Sequence, residues 1–350
     1  MNYAFAFLLS VIVAAVSTPI VRRFALKYGI VDKPSEARKI HRKPVAYLGG
    51  VAIFLAFLVG VLVNVSPSRQ LIALLLGCLV LVLVGVVDDI RGLSPWIKLG
   101  WQFVAAVIAL SGGIGITTIT NPFGGVFDLT TGRFAVDIMN FHFHITPVAN
   151  AVSIIWMVGL ANTINFLDGL DGLAGGVSGI AAVIMFLLSI SARVNQPGVA
   201  MLAIILAGAI FGWLPFNFNP AKIFMGDSGA YFLGLVLAML AIYSGAKLAT
   251  ATLVLGFPII DAVWAATRRL ARRKSPFRAD RGHFHHLLLD LGLSQRQAVL
   301  TLYAIAALFG SVALQIGSFA KLIALIVLVG FMAVAIGLML FISWRRAKLV

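Results

Sequence analysis

The chain has twelve carboxylates in 350 residues, and ten of them fall in or beside the alternate loops that together carry most of its lysine and arginine. Four of the polar clusters in these segments have residue types and spacing suited to chemistry. VVDDIRGLSP, 86–95, sets Asp88 and Asp89 side by side at the end of an apolar run. Adjacent carboxylates at such a boundary repel unless a cation or a water-filled cleft offsets them. NTINFLDGLDGLAGG, 162–176, spaces Asn162, Asn165, Asp168 and Asp171 by three residues. A continuous helix would rotate that set by about 60° per step, and Asp-Gly-Leu-Asp-Gly is poor helix sequence. The spacing predicts a span ending near Asp168, with Gly169 and Gly172 in a tight turn that gathers oxygens and amides into a small volume. FNFNPAKIFMGDSGAYFLG, 216–234, puts Asp227 at the start of an apolar run, as a helix cap or a metal ligand. ARRKSPFRADRGHFHHLLLD, 271–290, collects arginines, a lysine and three of the six histidines.

Hard oxygen donors without thiolates suit Mg²⁺, with Mn²⁺ as the alternative, rather than zinc. The one cysteine, Cys78, lies inside an apolar run and forms no intrachain disulfide. The HFHH group taken alone has the donors for zinc, but its neighbouring arginines and the missing thiolates favour anion binding. A divalent cation together with Arg and His is the chemistry of a diphosphate, whose charge must be neutralised while a phosphoryl group transfers. The sequence has no P-loop and no dinucleotide fingerprint, so the phosphate is expected at the membrane surface.

The elements that position these clusters are membrane spans. The composition is 61% hydrophobic and 11% charged, with a mean hydropathy of +1.04, against about 25% charged residues in a soluble domain. Eleven apolar runs approach the ~20 residues that cross a bilayer: 3–22, 46–64, 70–87, 97–113, 147–163, 174–190, 200–214, 228–243, 247–266, 298–316 and 321–343. The fold expected is therefore an all-α polytopic bundle forming one domain, 1–350. The first run is followed, not preceded, by Arg22 and Arg23 and reads as a retained span rather than a cleaved signal. Alternate loops hold 22 of the 27 lysines and arginines, and the opposite loops only Arg69, Arg133, Arg193, Lys247 and Lys321. The positive-inside rule then places the N-terminus outside and the C-terminus inside. The net charge of +15 is thus topological, and nucleic acid is excluded as a partner. The outside loop 114–146 holds an alternating FHFHI patch, a short strand or hairpin arm, with no chemistry assigned.

Acids do not set orientation, so the gathering of carboxylates on the inner face needs another cause. Asp88, Asp89, Asp168, Asp227 and Asp261 all abut spans there, where ionisable groups are costly and mark function by default. An ion-coupled transporter also keeps acids near spans, but more often at mid-bilayer on broken helices and without a large Arg/His loop. Acids confined to one face favour an enzyme.

The residues GVVDDI, N-x-x-N-x-x-DGLDGLA, FMGDSG and HFHH, in that order, resemble the polyprenyl-phosphate N-acetylhexosamine-1-phosphate transferases. RKIHRKPVAYLGG looks like that family's first cytoplasmic motif. The resemblance implies a membrane helical bundle with its active site on the cytoplasmic face of a bacterial inner membrane. The implied reaction moves a sugar 1-phosphate from a UDP-sugar to a polyprenyl (undecaprenyl) phosphate and releases UMP. The same match implies that Asp227 holds Mg²⁺ with Asn165 near it, and that Asp88 is the base or acceptor-orienting carboxylate beside Asp89. Asn162, Asp168 and Asp171 would bind substrate on the nucleotide side. His283, His285, His286 and Arg281 would meet the sugar and diphosphate, with His41 and Lys43 also at the substrate. HFHH resembles the version found with UDP-N-acetylglucosamine or a close epimer. HRKPVAYLGG departs from the Gly-Thr-Pro-Thr type of the MurNAc-pentapeptide enzymes, which remain the alternative. A homodimer is a further expectation left open.

Overall fold

The computed structural model describes residues 2–32, 44–132, 134–138, 141–244, 248–271, 273 and 282–348. Thirteen helices run through these residues: α1 Tyr3–Lys27, α2 Gly49–Asn64, α3 Arg69–Arg91, α4 Pro95–Ser111, α5 Pro147–Leu167, α6 Leu173–Ile190, α7 Pro197–Asn217, α8 Gly226–Tyr243, α9 Leu248–Val254, α10 Gly256–Ala271, α11 Phe284–Asp290, α12 Gln295–Gln315 and α13 Ser318–Lys348. Eight of them are long and apolar enough to cross a membrane, and α2 and α4 are shorter apolar helices. Each of the eleven apolar runs of the sequence falls on helix, and the molecule is an all-α polytopic membrane protein.

The run 247–266 corrects the expectation of one straight span. It breaks into α9 and α10, bent by 77°, at Leu255-Gly256-Phe257-Pro258, where glycine lowers helix propensity and proline removes a backbone donor. The break turns α10 so that it packs against α5 and α13.

The bundle is built around α8, in which every residue from Ser228 to Ile242 is buried. A helix apolar on all sides belongs in a protein interior. Lipid is as apolar as leucine, so close packing rather than hydrophobic force must hold helices together there. Small residues supply that closeness. α8 meets α2 where Gly50 faces Gly229, α3 where Gly85 faces Ser228, and α5 where Gly234 faces Ala161. A Cβ on Gly50, Gly85 or Gly234 would lie 2.0–2.5 Å from the facing backbone. At the edge of the bundle, α1 exposes Leu8, Ile12, Val16 and Ile20 along one lipid-facing stripe.

Six short strands complete the described chain. Val31–Asp32 (β1) pairs antiparallel with Val45–Ala46 (β2), and Ala46 also bridges to Ile223. The loop 114–146 carries two hairpins: Thr118–Thr120 (β3) with Val126–Asp128 (β4), and Phe134–Ile138 (β5) with Phe141–Ile145 (β6). The FHFHI patch is β6, as its alternation predicts.

Candidate active site

Asp88 and Asp89 occupy the last turn of α3, which stops at Gly92. Ser94 then caps α4, its Oγ accepting the Ile97 N–H, with Pro95 in the first helical turn. That tight connection points Lys98, in the first turn of α4, back at the end of α3. Its Nζ lies 3.1 Å from Asp88 Oδ2 and 2.9 Å from Asp227 Oδ2, under the Tyr231 ring. Asn165, in the last turn of α5, donates through Nδ2 to Asp227 Oδ1 at 2.8 Å. The second oxygen of Asp88 accepts the Leu93 N–H. Three helices thus bring Asp88, Asp227 and Asn165 together, as the sequence motifs predict, around a lysine that they did not predict. The available signal was that Lys98 is the single charged residue in PWIKLGWQFVAAVIALS.

Asp89 has a different task. Its Oδ1 accepts the Asp227 N–H at 2.8 Å and its Oδ2 accepts the Ser228 hydroxyl at 2.9 Å. The carboxylate therefore caps α8 from another helix, with its charge at the positive end of the helix dipole. Gly226 makes room for it. The residue has φ +74°, and a Cβ there would sit 2.4 Å from Asp89 Oδ2. With Asp89 filling the cap, the Asp227 carboxylate is left to face Lys98 and Asn165. Of the two roles the sequence allowed Asp227, this arrangement favours the ligand.

The doubled Asp-Gly forms the turn between α5 and α6. Asp168 is the residue after α5, and Gly172, at φ +84°, precedes α6. Asp171 Oδ2 accepts from Asn219 Nδ2 at 2.9 Å and from the Ala221 N–H at 3.0 Å, while Asn217 Oδ1 accepts the Gly172 N–H at 2.9 Å. The loop after α7 is tied to this turn, and Asp171 is engaged by it. Asn162, expected at the substrate, is paired across α5 and α4 with Gln102, to which its Nδ2 donates at 2.6 Å. The Asp168 carboxylate has no hydrogen-bond partner among the described residues. Burial, then the charges of Asp227, Asp89 and Asp171, push its carboxyl up to about 8.

The histidine loop closes over this turn. His283 Nδ1 lies 2.9 Å from Asp261 Oδ2, and Asp261 Oδ1 accepts the Phe284 N–H at 2.8 Å. Arg269 Nη2 lies 3.1 Å from His283 Nε2. His285 stacks on His283 at 5.5 Å, and a Cβ on Gly169 would sit 2.4 Å from its Nε2. Both ring nitrogens of His285 are buried without a partner, and burial, with His286 and His283 alongside, holds it well below the ordinary imidazole range. The sequence singled out Asp261 as a membrane-abutting acid but gave it no role, and Arg269 was not singled out at all. His41, Lys43 and Arg281 lie outside the described residues.

The donors at Asp88, Asp227 and Asn165 are carboxylate and amide oxygens, the set that Mg²⁺ takes. Among the described residues one ammonium, that of Lys98, stands among Asp88, Asp89, Asp168 and Asp227. Among the described residues no three His, Cys, Asp or Glu side chains converge on one point.

The sequence model of glycosyl transferase family 4 matches residues 71–245. A probable undecaprenyl-phosphate N-acetylglucosaminyl 1-phosphate transferase of Bacillus subtilis is 33% identical over 320 residues, covering 89% of this chain and 84% of the relative. The chain belongs to glycosyl transferase family 4. The undecaprenyl-phosphate alpha-N-acetylglucosaminyl 1-phosphate transferase of Pasteurella multocida is 32% identical, over 83% of this chain and 80% of the relative. The decaprenyl-phosphate N-acetylglucosaminephosphotransferase of Mycobacterium tuberculosis is 31% identical, over 85% of this chain and 78% of the relative. The family 4 match contains the carboxylates, Asn165 and Lys98, and ends before Asp261 and the HFHH loop.

Proposed function

We propose that this family 4 protein transfers N-acetylglucosamine 1-phosphate from UDP-N-acetylglucosamine to undecaprenyl phosphate and releases UMP. The observation that carries the proposal is the Asp88–Lys98–Asp227–Asn165 constellation beside an Asp168 carboxylate with no hydrogen bond among the described residues, in a chain whose relatives bear the names given above. In the net reaction an oxygen of the lipid phosphate becomes bonded to the phosphorus that carries the sugar. The bond from that phosphorus to the UMP oxygen breaks, and UMP leaves with the electron pair.

Asp227 and Asn165 would hold Mg²⁺, which when bound neutralises diphosphate charge as it builds on the leaving UMP. Asp88 has Leu93 N–H on one oxygen and Lys98 on the other, an arrangement that orients it toward the acceptor. Lys98 is the compact cation that keeps Asp88 and Asp227 side by side before substrate arrives, and it offers its charge to a phosphate afterwards. His285 stays neutral by burial and keeps one N–H to donate to a diphosphate or sugar oxygen. The pocket lies where the end of α3, the end of α5 and the start of α8 meet, on the side that the sequence gives most of the lysine and arginine, and we assign it to the cytoplasmic face of a bacterial inner membrane.

The test supplies purified protein with undecaprenyl phosphate and either UDP-N-acetylglucosamine or UDP-MurNAc-pentapeptide, with and without Mg²⁺, and follows UMP. Release with the first donor, dependent on metal and lipid phosphate, is the expected result. Turnover of the pentapeptide donor alone would overturn the assignment of the sugar, and no UMP from either donor would overturn the reaction.

A further inference from the structure

Three charged or titratable side chains are buried together outside the carboxylate pocket. Asp261 is 3% exposed, Arg269 4% and His283 5%. Buried charges are costly unless paired and hydrogen-bonded, so this group has a purpose or a heavy cost. Asp261 and Arg269 lie on α10, directly after the break in the span, eight residues apart on the same helix. They bracket the His283 ring from its two nitrogens, at 2.9 Å and 3.1 Å. Arg269 also stacks its guanidinium over Phe166, the residue two before Asp168, at 5.8 Å from the ring centroid.

The hydrogen-bond polarity of this chain is determined. A guanidinium is always charged and has only donors, so His283 Nε2 must accept from Arg269. The ring proton then sits on Nδ1 and is donated to Asp261 Oδ2. The other oxygen of Asp261 takes the Phe284 N–H, the first backbone donor of α11. Both nitrogens of His283 are consumed by the protein. Its ring face is what remains available, and His285 stacks on it with planes 10° apart, Nε2 over the space left by Gly169.

We propose that Asp261 and Arg269 are positioning residues that fix the tautomer and tilt of His283 and so seat the HFHH loop on the Asp168–Gly172 turn. In this arrangement His283 does not touch the donor. It is the platform that presents His285 and His286. The broken span gains a specific role: only after the bend does α10 carry an acid and a base-pairing cation to the loop. The proposal leans on the transfer reaction above only for its kinetic readout.

A swap of hydrogen-bond polarity tests it. In Asp261→Asn the amide oxygen still accepts the Phe284 N–H, but the amide N–H₂ then faces His283 Nδ1. The ring must move its proton to Nε2, where it meets the Arg269 donors head on. Asp261→Asn is expected to raise the KM for UDP-N-acetylglucosamine by roughly ten-fold or more, with a smaller change in kcat, because a buried donor is left facing a donor. Adding Arg269→Gln supplies an acceptor for Nε2–H. The double variant should recover at least about three-fold of the lost kcat/KM, although Arg269→Gln alone loses the contact with Phe166. A role in bulk packing predicts instead that the two losses add, which would overturn the proposal.

The ¹⁵N shifts of [¹⁵N]His-labelled wild-type protein, assigned by the signal lost in His283→Gln, supply a readout that needs no turnover. The Nδ1–H form is expected, and an Nε2–H or doubly protonated ring at position 283 would overturn the clamp. If the wild type released no UMP, the transfer reading would fall while this spectrum still decided the tautomer.

Discussion

Replacing Gly226 by alanine tests the cap that Asp89 places on α8, and with it the reason Asp227 faces the pocket. Two costs follow from the geometry. The residue has φ +74°, and an L-residue in the left-handed region costs roughly 1–2 kcal/mol. The new methyl would also stand 2.4 Å from Asp89 Oδ2, inside any contact a Cβ makes. The carboxylate must withdraw, and with it go the bonds from Asp227 N–H and the Ser228 hydroxyl. Hydrogen bonds to a charged acceptor contribute about 1.5–3 kcal/mol each, and water near the pocket replaces part of that. The expected net loss of stability is about 3–5 kcal/mol. Since the Asp227 backbone is itself a cap donor, its side chain shifts too, and a displacement near 1 Å at a reacting centre costs on the order of 100-fold in rate.

Both quantities are measurable: thermal unfolding in detergent and UMP release at saturating donor. The decisive arm is the double variant with Asp89→Ala. Removing the carboxylate removes the collision, so Gly226→Ala should then add only the backbone cost of about 1–2 kcal/mol. Full additivity of the two substitutions, or a Gly226→Ala protein within two-fold of wild-type rate, would refute the argument that this glycine exists to admit Asp89.

Three further outcomes are expected. Asp227→Ala should abolish UMP release while the protein still inserts and unfolds cooperatively, and near-normal rates at limiting Mg²⁺ would reduce Asp227 to a helix residue. Asp168 gives a pH signature: its carboxyl is raised from 3.8 to about 8, so folding takes up a proton between those values. Its contribution to stability therefore declines as pH rises from about 4 to about 8 and levels off above. Asp168→Asn lacks that proton uptake, so thermal unfolding from pH 4 to 9 should show its advantage over wild type growing across the same window. A pH-independent difference would contradict the shift. Finally, a cysteine at the exposed position 290 in a protein lacking Cys78 should resist an impermeant thiol reagent in intact cells yet react once the membrane is permeabilised, and labelling in intact cells would reverse the orientation read from the basic loops.

The span pattern and the turn at Asp168–Gly172 were legible because each follows from local rules: twenty apolar residues cross a bilayer, and Asp-Gly-Leu-Asp-Gly does not stay helical. The meeting of Asp88, Asp227 and Asn165 was legible because all three sit at span ends on one face. The partners of those acids were less so. Asp88 and Asp89 are adjacent and chemically alike, yet on a helix neighbours point about 100° apart. One turns to Lys98 and the other to the N-terminus of α8, and nothing in DD says which. Asn162 and Asn165 share a motif, but 162 falls opposite Gln102 on α4 while 165 reaches α8. Such divisions depend on which neighbour each face meets, and that is fixed by the tertiary packing of glycines such as Gly50 and Gly85.

The division of labour among the acids has a physical logic. A metal- and phosphate-binding carboxylate must not be tied up by the backbone of its own helix, yet a charged group at a membrane boundary must be held by something. Here the holding is done by different atoms from the binding. Asp89 takes the helix donors, so Asp227 need not cap its own helix. Asp171 takes the α7 loop, so Asp168 can remain without a partner in the same turn. Asp261 takes His283 and the start of α11, so His285 keeps both ring nitrogens free. In each case one acid is spent on the backbone of a neighbouring element, and the side chain beside it is left to face the pocket. Substituting the spent member should therefore disturb stability and position together, whereas substituting the open one should remove activity from a protein that still folds.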